Sequence, residues 1–207
     1  MAIAMDLPDL PDELEHAVEI VPPRWIDDDE LMEIERRYEH RLLRFERFAD
    51  GTLLVTPPSG WHGGTRDTEL ARQVATWVRS NRAGVAMGPT GGVHLPDGSL
   101  FEPDATYISE DRWERMDRTH TFAHTVPDAA FEIISPSDRV RSARKKIETY
   151  LRNGVRLVVL LDPKRLKVYV GREGEEAPHD LGNLDELDCS PVMPGFILDI
   201  AAIRNVG

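Results

Sequence analysis

The order of apolar segments in the central part of the chain is the feature that most limits its fold. Short apolar runs bounded by Gly, Pro or Asp are typical of strands, and apolar residues repeating at helical spacing are typical of amphipathic helices. The predicted elements, in chain order, are a helix over 62–81, strands near 84–95, 100–109 and 128–134, a helix over 137–153 and a strand over 155–161. The order helix, three strands, helix, strand predicts an α/β fold around a mixed sheet, and not an alternating doubly wound fold.

The segments on either side of this core are predicted separately. Residues 1–24 are rich in acids and prolines and are predicted as an acidic arm, with a single domain over 25–207. An acidic first turn at Asp27 predicts a helix that ends near Arg41, because carboxylates stabilise helix N-termini. Residues 43–56 predict a hairpin. Residues 173–188, which contain no Lys or Arg, predict a solvated loop.

Composition excludes several classes of protein. The chain of 207 residues has no apolar run long enough to cross a membrane and no basic-then-apolar N-terminus typical of a secretory signal. Its one cysteine, Cys189, excludes internal disulfides and clusters of thiolate ligands. These features predict a cytoplasmic protein without a membrane partner.

The distribution of charge is more informative than its total. A net charge of −12 argues against a nucleic-acid partner. The acids, however, concentrate in residues 1–50 and 173–188, whereas basic residues cluster in 137–156. The candidate DNA-backbone contacts in this cluster are Arg139, Arg141, Arg144 and Lys145.

Two carboxylates, Asp104 and Glu132, stand inside segments that otherwise have the pattern of buried strands. Burying an unpaired carboxylate is unfavourable, so each residue needs a partner. A divalent cation is one such partner, and Mg²⁺ favours oxygen ligands. The alternative is that both acids face solvent from strand edges. Because two such residues are followed by a helix that carries lysines, we favour a site.

The helix after Glu132 supplies a candidate cation. At 100° per residue Lys146 lies on the flank of the apolar stripe, while Lys145 lies nearly opposite it and is predicted to face solvent. A lysine beside the metal could stabilise charge that develops on a phosphate. The alternative is that both lysines belong to a solvated face.

Three further residues are candidates for an additional part of the site. His62 could reach it, or could only begin its helix. Glu69 could ligate a second metal ion, or could be exposed. Glu46 could line the site, although pairing with an arginine at the hairpin edge is the favoured prediction.

Several segments, in this order, resemble a known family. They are Phe45-Glu46 with Asp50-Gly51, Pro57-Pro58-Ser59 with His62, Glu102-Pro103-Asp104, Phe131 to Ser137, Lys146 with Tyr150, Gly154-Val155, Leu161-Asp162-Pro163, and Met193 to Phe196. Over about residues 25–203 the chain resembles the Uma-type family, described as putative restriction endonucleases, within the PD-(D/E)XK nuclease superfamily. Each segment is weak alone, but the ordered set is specific.

The resemblance implies a site and a cofactor. Asp104 and Glu132 would ligate Mg²⁺ or Mn²⁺ together with the backbone carbonyl of Ile133, and Lys146 would position the attacking water. The superfamily's simple pattern would put this lysine at position 134, where the chain has Ile134. The resemblance implies that the role has moved to the following helix. It also implies a restriction-endonuclease-like fold, DNA as the partner and a homodimer.

Three functions remain open from the sequence. The first is a metal-dependent endonuclease that hydrolyses DNA phosphodiester bonds. The second is a catalytically silent protein of the same fold that binds nucleic acid or a protein. The third is a phosphodiesterase that acts on RNA or a small nucleotide, because unrelated activities share folds.

Overall fold

The computed structural model describes residues 10, 13–135 and 140–206. The helices are α1 (Asp28–Arg37), α2 (Trp61–Asn81), α3 (Glu110–Arg115), α4 (Val140–Arg152) and α5 (Ile200–Asn205), with a 3₁₀ turn at Glu39–Arg41. Within the described ranges, every helix is too short or too polar to traverse a lipid bilayer.

Fourteen strands are described in these ranges, several of them very short. They are β1 (Val18–Ile20), β2 (Arg44–Arg47), β3 (Leu53–Thr56), β4 (Gly84–Met87), β5 (Val93–His94), β6 (Leu100–Phe101), β7 (Ala105–Ser109), β8 (Ala123–His124), β9 (Ala129–Ile133), β10 (Leu157–Asp162), β11 (Lys167–Arg172), β12 (His179–Asp180), β13 (Glu186–Asp188) and β14 (Ile197–Asp199).

The central sheet is mixed and has the order β12-β11-β10-β9-β7-β4. β9 and β10 are parallel, and the other neighbours in this sheet are antiparallel. Leu70, Val74 and Val78 of α2 pack in the core on one face, whereas Ile147 and Tyr150 of α4 pack in a separate core on the other. The predicted α/β fold around a mixed sheet, with its order helix, three strands, helix, strand, is confirmed.

A second sheet lies beside the first and has the order β1-β3-β2-β6-β5-β8. The sequence predicts its hairpin, β2 and β3, and includes β5 and β6 only as the ends of longer predicted strands. β5, β6 and β8 have two residues each, which is too short for an apolar alternation to be recognised. β1 lies in the stretch predicted as an acidic arm and pairs with β3. The boundary between an arm and the domain stays a prediction.

Two strands predicted from the sequence are each divided into two strands in the structure. The run 84–95 becomes β4 and β5, which belong to different sheets, and 100–109 becomes β6 and β7. Pro103 lies between β6 and β7, where it interrupts the strand because proline cannot donate to a ladder. Asp104 therefore lies just before β7, at the junction of the two sheets.

The prediction of a loop over 173–188 is wrong in part. β12 adds to the edge of the central sheet through Asp180, which pairs with Tyr169 of β11. β13 forms a two-stranded sheet with β14, and Leu187 of β13 is buried in the core. The acidic residues around these strands are exposed, so composition alone indicates a solvated loop.

α1 begins at a complete capping box. The backbone amide of Glu30 donates a hydrogen bond of 2.9 Å to Oδ1 of Asp27, and Oε2 of Glu30 accepts one of 3.3 Å from the amide of Asp27. The two bonds satisfy amides that a helix N-terminus leaves unpaired. They fix the position of Asp28, the first residue of the helix.

Candidate active site

Asp104 is held at the start of β7 by the neighbouring strand. Its side chain is buried, and its Oδ2 accepts a hydrogen bond of 2.7 Å from the backbone amide of Ile133 in β9. Oδ1 lies 3.5 Å from a guanidinium nitrogen of Arg44. The carboxylate is thus oriented by β9 of the central sheet and by β2 of the second sheet.

Glu132 and Lys146 form a buried ion pair beside Asp104. Nζ of Lys146 lies 2.7 Å from Oε1 of Glu132, and the hydroxyl of Tyr150 donates a hydrogen bond of 3.0 Å to the same oxygen. Oε2 of Glu132 accepts no hydrogen bond from a described residue and is not sealed off in the interior. One oxygen of this carboxylate is therefore available to a ligand.

Glu46 joins the site from the second sheet. Its Oε1 accepts a hydrogen bond of 2.8 Å from Nζ of Lys146 and another of 2.7 Å from the amide of Glu102. The prediction that Glu46 pairs with an arginine at the hairpin edge is corrected here, because its ion-pair partner is Lys146. The packing of β2 against α4, which no local pattern encodes, brings the two residues together.

Burial sets the electrostatics of the site. Desolvation raises the pKa of Glu132, although the positive charge of Lys146 opposes this shift. Burial by itself would lower the pKa of Lys146, but the charges of Glu132 and Glu46 outweigh it and raise that pKa above its ordinary value. Lys146 is therefore a permanent cation at neutral pH. Burial also raises the pKa of Glu102 to about 7.

A cavity opens onto these side chains. Its free volume is about 60 Å³. Because one water molecule needs roughly 10–15 Å³ of such volume, the cavity has room for several. The charged residues that line it are Arg44, Glu46, Arg66, Asp67, Asp104, Glu132 and Lys146. Among these described residues acids outnumber bases, which favours a cationic ligand. The space suits an ion with several of its waters.

The donor set fits a hard divalent cation. Mg²⁺ and Mn²⁺ prefer carboxylate, carbonyl and water oxygens, and the cavity offers carboxylates from Asp104 and Glu132 with Ile133 in its wall. Its lining contains no His or Cys side chain among the described residues, so softer ions have no matching donor there.

Two of the predicted additional residues lie outside this cavity. His62 is exposed and stacks on the ring of Trp61, with 3.4 Å between ring centroids. Glu69 forms an ion pair of 2.6 Å with Arg72. Asp67 and Arg66, which lie between them on α2, line the cavity instead.

The basic residues of α4 are neighbours in sequence of Ser142, Ala143 and Lys146, which line the cavity. Arg141 and Arg144 are exposed, whereas Arg139 lies outside the described residues. Lys145 departs from the prediction that it faces solvent: it is half-buried, its Nζ lies 3.9 Å from the ring centroid of Phe48, and it donates a hydrogen bond of 3.1 Å to Asp50. The turn of the hairpin covers this flank of the helix.

Tyr150, Arg44, Arg66 and Asp67 lie near the site, and the sequence does not predict them as part of it. The hydroxyl of Tyr150 reaches Glu132. Its spacing of four residues from Lys146 was a usable signal, because such residues share a helix face. Arg44 and Arg66 carry no comparable signal in the sequence.

Comparisons with known proteins agree with this architecture. Residues 28–201 match the model of the family described as "Uma2: Putative restriction endonuclease". A crystal structure of a putative nuclease belonging to DUF820 from Anabaena variabilis ATCC 29413 superposes with a TM-score of 0.66 at 19% identity, and the match covers 77% of this chain and 89% of that one. No curated protein matches the chain. The structural likeness supports the fold, and the family match extends over most of the sequence. The chain therefore belongs to the Uma2 family of restriction-endonuclease-like proteins.

Proposed function

We propose that this protein is a divalent-metal-dependent endonuclease that hydrolyses phosphodiester bonds of DNA. The observation that carries the proposal is the convergence of Asp104, Glu132 and Lys146 on one water-accessible cavity. A binding scaffold would have no reason to bury two carboxylates and a lysine around a space of this kind, because burial of charge is unfavourable. Membership of the family supports the same class of activity.

Asp104 and Glu132, with the backbone carbonyl of Ile133, would hold Mg²⁺ or Mn²⁺. A bound divalent ion lowers the pKa of a water molecule and stabilises negative charge on a phosphoryl oxygen. The hydrogen bond from the amide of Ile133 fixes the orientation of Asp104. Oε2 of Glu132 is left for the ion, since Lys146 and Tyr150 occupy Oε1.

Lys146 would orient the attacking water and stabilise charge that develops on the phosphate. A positioned cation in a site of low dielectric does this without reorganisation. Glu46 and Glu132 lie on either side of its Nζ, at 2.8 and 2.7 Å, and hold it in place. Because its pKa is raised, Lys146 acts as a cation and not as the general base.

Arg66 would contact the phosphate of the substrate. It lines the cavity, and its Nε is buried without a hydrogen-bond partner among the described residues. A buried donor of this kind calls for an acceptor, and guanidinium groups match phosphate geometry. The exposed residues Arg141 and Arg144 would hold the DNA backbone, with Arg139 and Lys145 as the remaining predicted contacts.

Cleavage of supercoiled plasmid tests the proposal. Purified protein is incubated with Mg²⁺ or Mn²⁺, and Asp104→Asn is compared with Glu186→Gln, an exposed acid on β13. We expect nicked and linear products from the wild type and from Glu186→Gln, and none from Asp104→Asn or with a chelator. Equal cleavage by Asp104→Asn would place the activity elsewhere or in a contaminant.

A wild type that neither cleaves plasmid, single-stranded DNA or RNA nor binds Mn²⁺ would favour the catalytically silent binding protein. Cleavage of RNA alone would replace DNA as the substrate. The homodimer and the cytoplasmic location stay expectations of the resemblance and of the sequence. Light scattering of the purified protein tests the first of these.

A further inference from the structure

A second group of metal-ligating side chains lies apart from the cavity around Asp104. It comprises Asp28 at the start of α1, His94 in β5 and His124 in β8. β5 and β8 are parallel neighbours in the second sheet, and their register sets His94 directly beside His124. None of the three lines the cavity of the candidate active site.

The three ligand atoms form a nearly regular triangle. Oδ2 of Asp28 lies 3.5 Å from Nδ1 of His94 and 3.5 Å from Nε2 of His124, and these two nitrogens lie 3.2 Å apart. A tetrahedral ion with bonds of about 2.0–2.1 Å separates its ligand atoms by about 3.3–3.4 Å. The spacing of the three ligand atoms therefore matches the size that Zn²⁺ requires.

A hydrogen bond between the histidines accounts less well for this arrangement. Nδ1 of His94 is almost equally far from both ring nitrogens of His124, at 3.1 and 3.2 Å. It is therefore not aimed at a single acceptor, as a hydrogen bond requires. A cation placed between the rings would satisfy both nitrogens and Oδ2 of Asp28 together.

The second oxygen of Asp28 is already held by the interior. Oδ1 accepts a hydrogen bond of 2.6 Å from Arg47, which is 1% exposed and also donates to the carbonyls of Ile26 and Gly98. Outer partners of this kind orient a ligating carboxylate and leave one oxygen for the ion. The side chains of Asp28, His94 and His124 are themselves 22–30% exposed, so an ion can enter and a water can complete its coordination.

We propose that Asp28, His94 and His124 form a binding site for Zn²⁺ or a similar borderline transition-metal ion, distinct from the proposed nuclease metal site. Two imidazoles and one carboxylate favour such ions over Mg²⁺, which prefers oxygen ligands alone. The ion would join α1, β5 and β8, three segments far apart in the sequence. It binds the folded chain and so raises the free energy of unfolding.

Titration calorimetry with Zn²⁺ tests the site on the full chain. Excess Mg²⁺ is present throughout, and the Asp104→Asn background disables the proposed nuclease site. His94→Gln and His124→Gln are compared with His40→Gln, which removes an exposed histidine outside the triangle. We expect one equivalent of Zn²⁺ to bind the parent and His40→Gln. The affinity of His94→Gln and of His124→Gln for Zn²⁺ should be at least about 100-fold weaker, a larger loss than removal of a residue that only hydrogen-bonds to a ligand.

A thermal melt of the same proteins distinguishes loss of the site from loss of the fold. All variants should melt cooperatively without Zn²⁺, and Zn²⁺ should raise Tm only in the parent and in His40→Gln. Undiminished Zn²⁺ binding in both His94→Gln and His124→Gln would overturn the proposal. Absence of any bound Zn²⁺ in the parent at 100 µM (about −5.5 kcal/mol) would overturn it too.

Discussion

Nζ of Lys146 donates a hydrogen bond of 2.8 Å to Oε1 of Glu46, 100 residues earlier in the chain. This contact joins α4, which packs on the central sheet, to β2 of the second sheet. The same ammonium lies 2.7 Å from Glu132 in the central sheet. The candidate active site therefore lies where the two sheets meet, and its lysine is part of that junction.

Replacing Lys146 should affect both activity and stability. Lys146→Met leaves Glu46 and Glu132 buried without their cation, and breaking a buried pair costs about 3–5 kcal/mol of unfolding free energy. Loss of an electrostatic contact to the transition state should lower plasmid cleavage about 10²–10³-fold. Urea unfolding and initial cleavage rates measure the two effects.

Lys167→Met is the matched control for this variant. Lys167 pairs with Asp180 at the exposed edge of the central sheet and does not line the cavity. Its loss should change stability by less than about 1 kcal/mol and leave cleavage unaltered. A normal cleavage rate in folded Lys146→Met would remove this lysine from the proposed mechanism.

Arg66→Met should weaken cleavage mainly through substrate binding. The buried Nε of Arg66 has no acceptor among the described residues, so its removal costs the free protein little while the bound phosphate loses a donor. We expect KM for plasmid to rise about tenfold or more, with a smaller change in kcat, because the contact is already made in the bound state. An unchanged KM would mean that Arg66 does not meet the substrate.

Arg47 should be among the least replaceable charged residues. Its guanidinium satisfies Asp28 and two backbone carbonyls and lies 4.5 Å from the ring centroid of Trp25. Arg47→Met would leave these acceptors without donors and should cost about 3–5 kcal/mol. Denaturant unfolding measures this loss of stability. Arg37→Met is the control, because it removes only an exposed ion pair with Glu33. The second change should cost under about 1 kcal/mol.

Glu35 should make stability depend on pH. Burial raises its pKa to about 7 from an ordinary 4.5. The folded state therefore holds a proton that the unfolded state releases, so the favourable contribution is complete below about pH 4.5 and is lost as pH rises through 7. Glu35→Gln should stabilise the protein at pH 8 relative to the wild type, and by less at pH 5. Urea unfolding at pH 5 and pH 8 measures the difference in unfolding free energy between Glu35→Gln and the wild type. A difference that does not depend on pH would contradict the prediction.

The sequence predicts those parts of the site that depend on local pattern. Asp104 and Glu132 stand out because a carboxylate in an apolar strand needs a partner, and Lys146 stands out by its place beside an apolar stripe. The central sheet follows from the same patterns, since its longer strands and helices have clear periodicity. The site roles of these residues remain proposals that the variants above test.

What the sequence does not predict depends on long-range packing. Glu46 has neighbours typical of any hairpin, and only the approach of α4 assigns its partner. β5 is only the end of a longer predicted strand and β8 is too short to recognise, so the adjacency of His94 and His124 cannot be inferred from the chain. Asp28 lies in the first turn of a helix, where acids are common because they stabilise the helix N-terminus. Its position therefore gives no indication of a metal site.

Binding of Mn²⁺ to the wild type and to Asp104→Asn is the most direct test of the central claim, because it needs no assumption about the substrate. Calorimetry is run on the full chain in the absence of DNA, with Glu186→Gln as the control. The account predicts saturable Mn²⁺ binding in the wild type and in Glu186→Gln that is lost in Asp104→Asn. Equal binding in all three proteins, or none in the wild type, would contradict a metal-dependent site at Asp104 and Glu132.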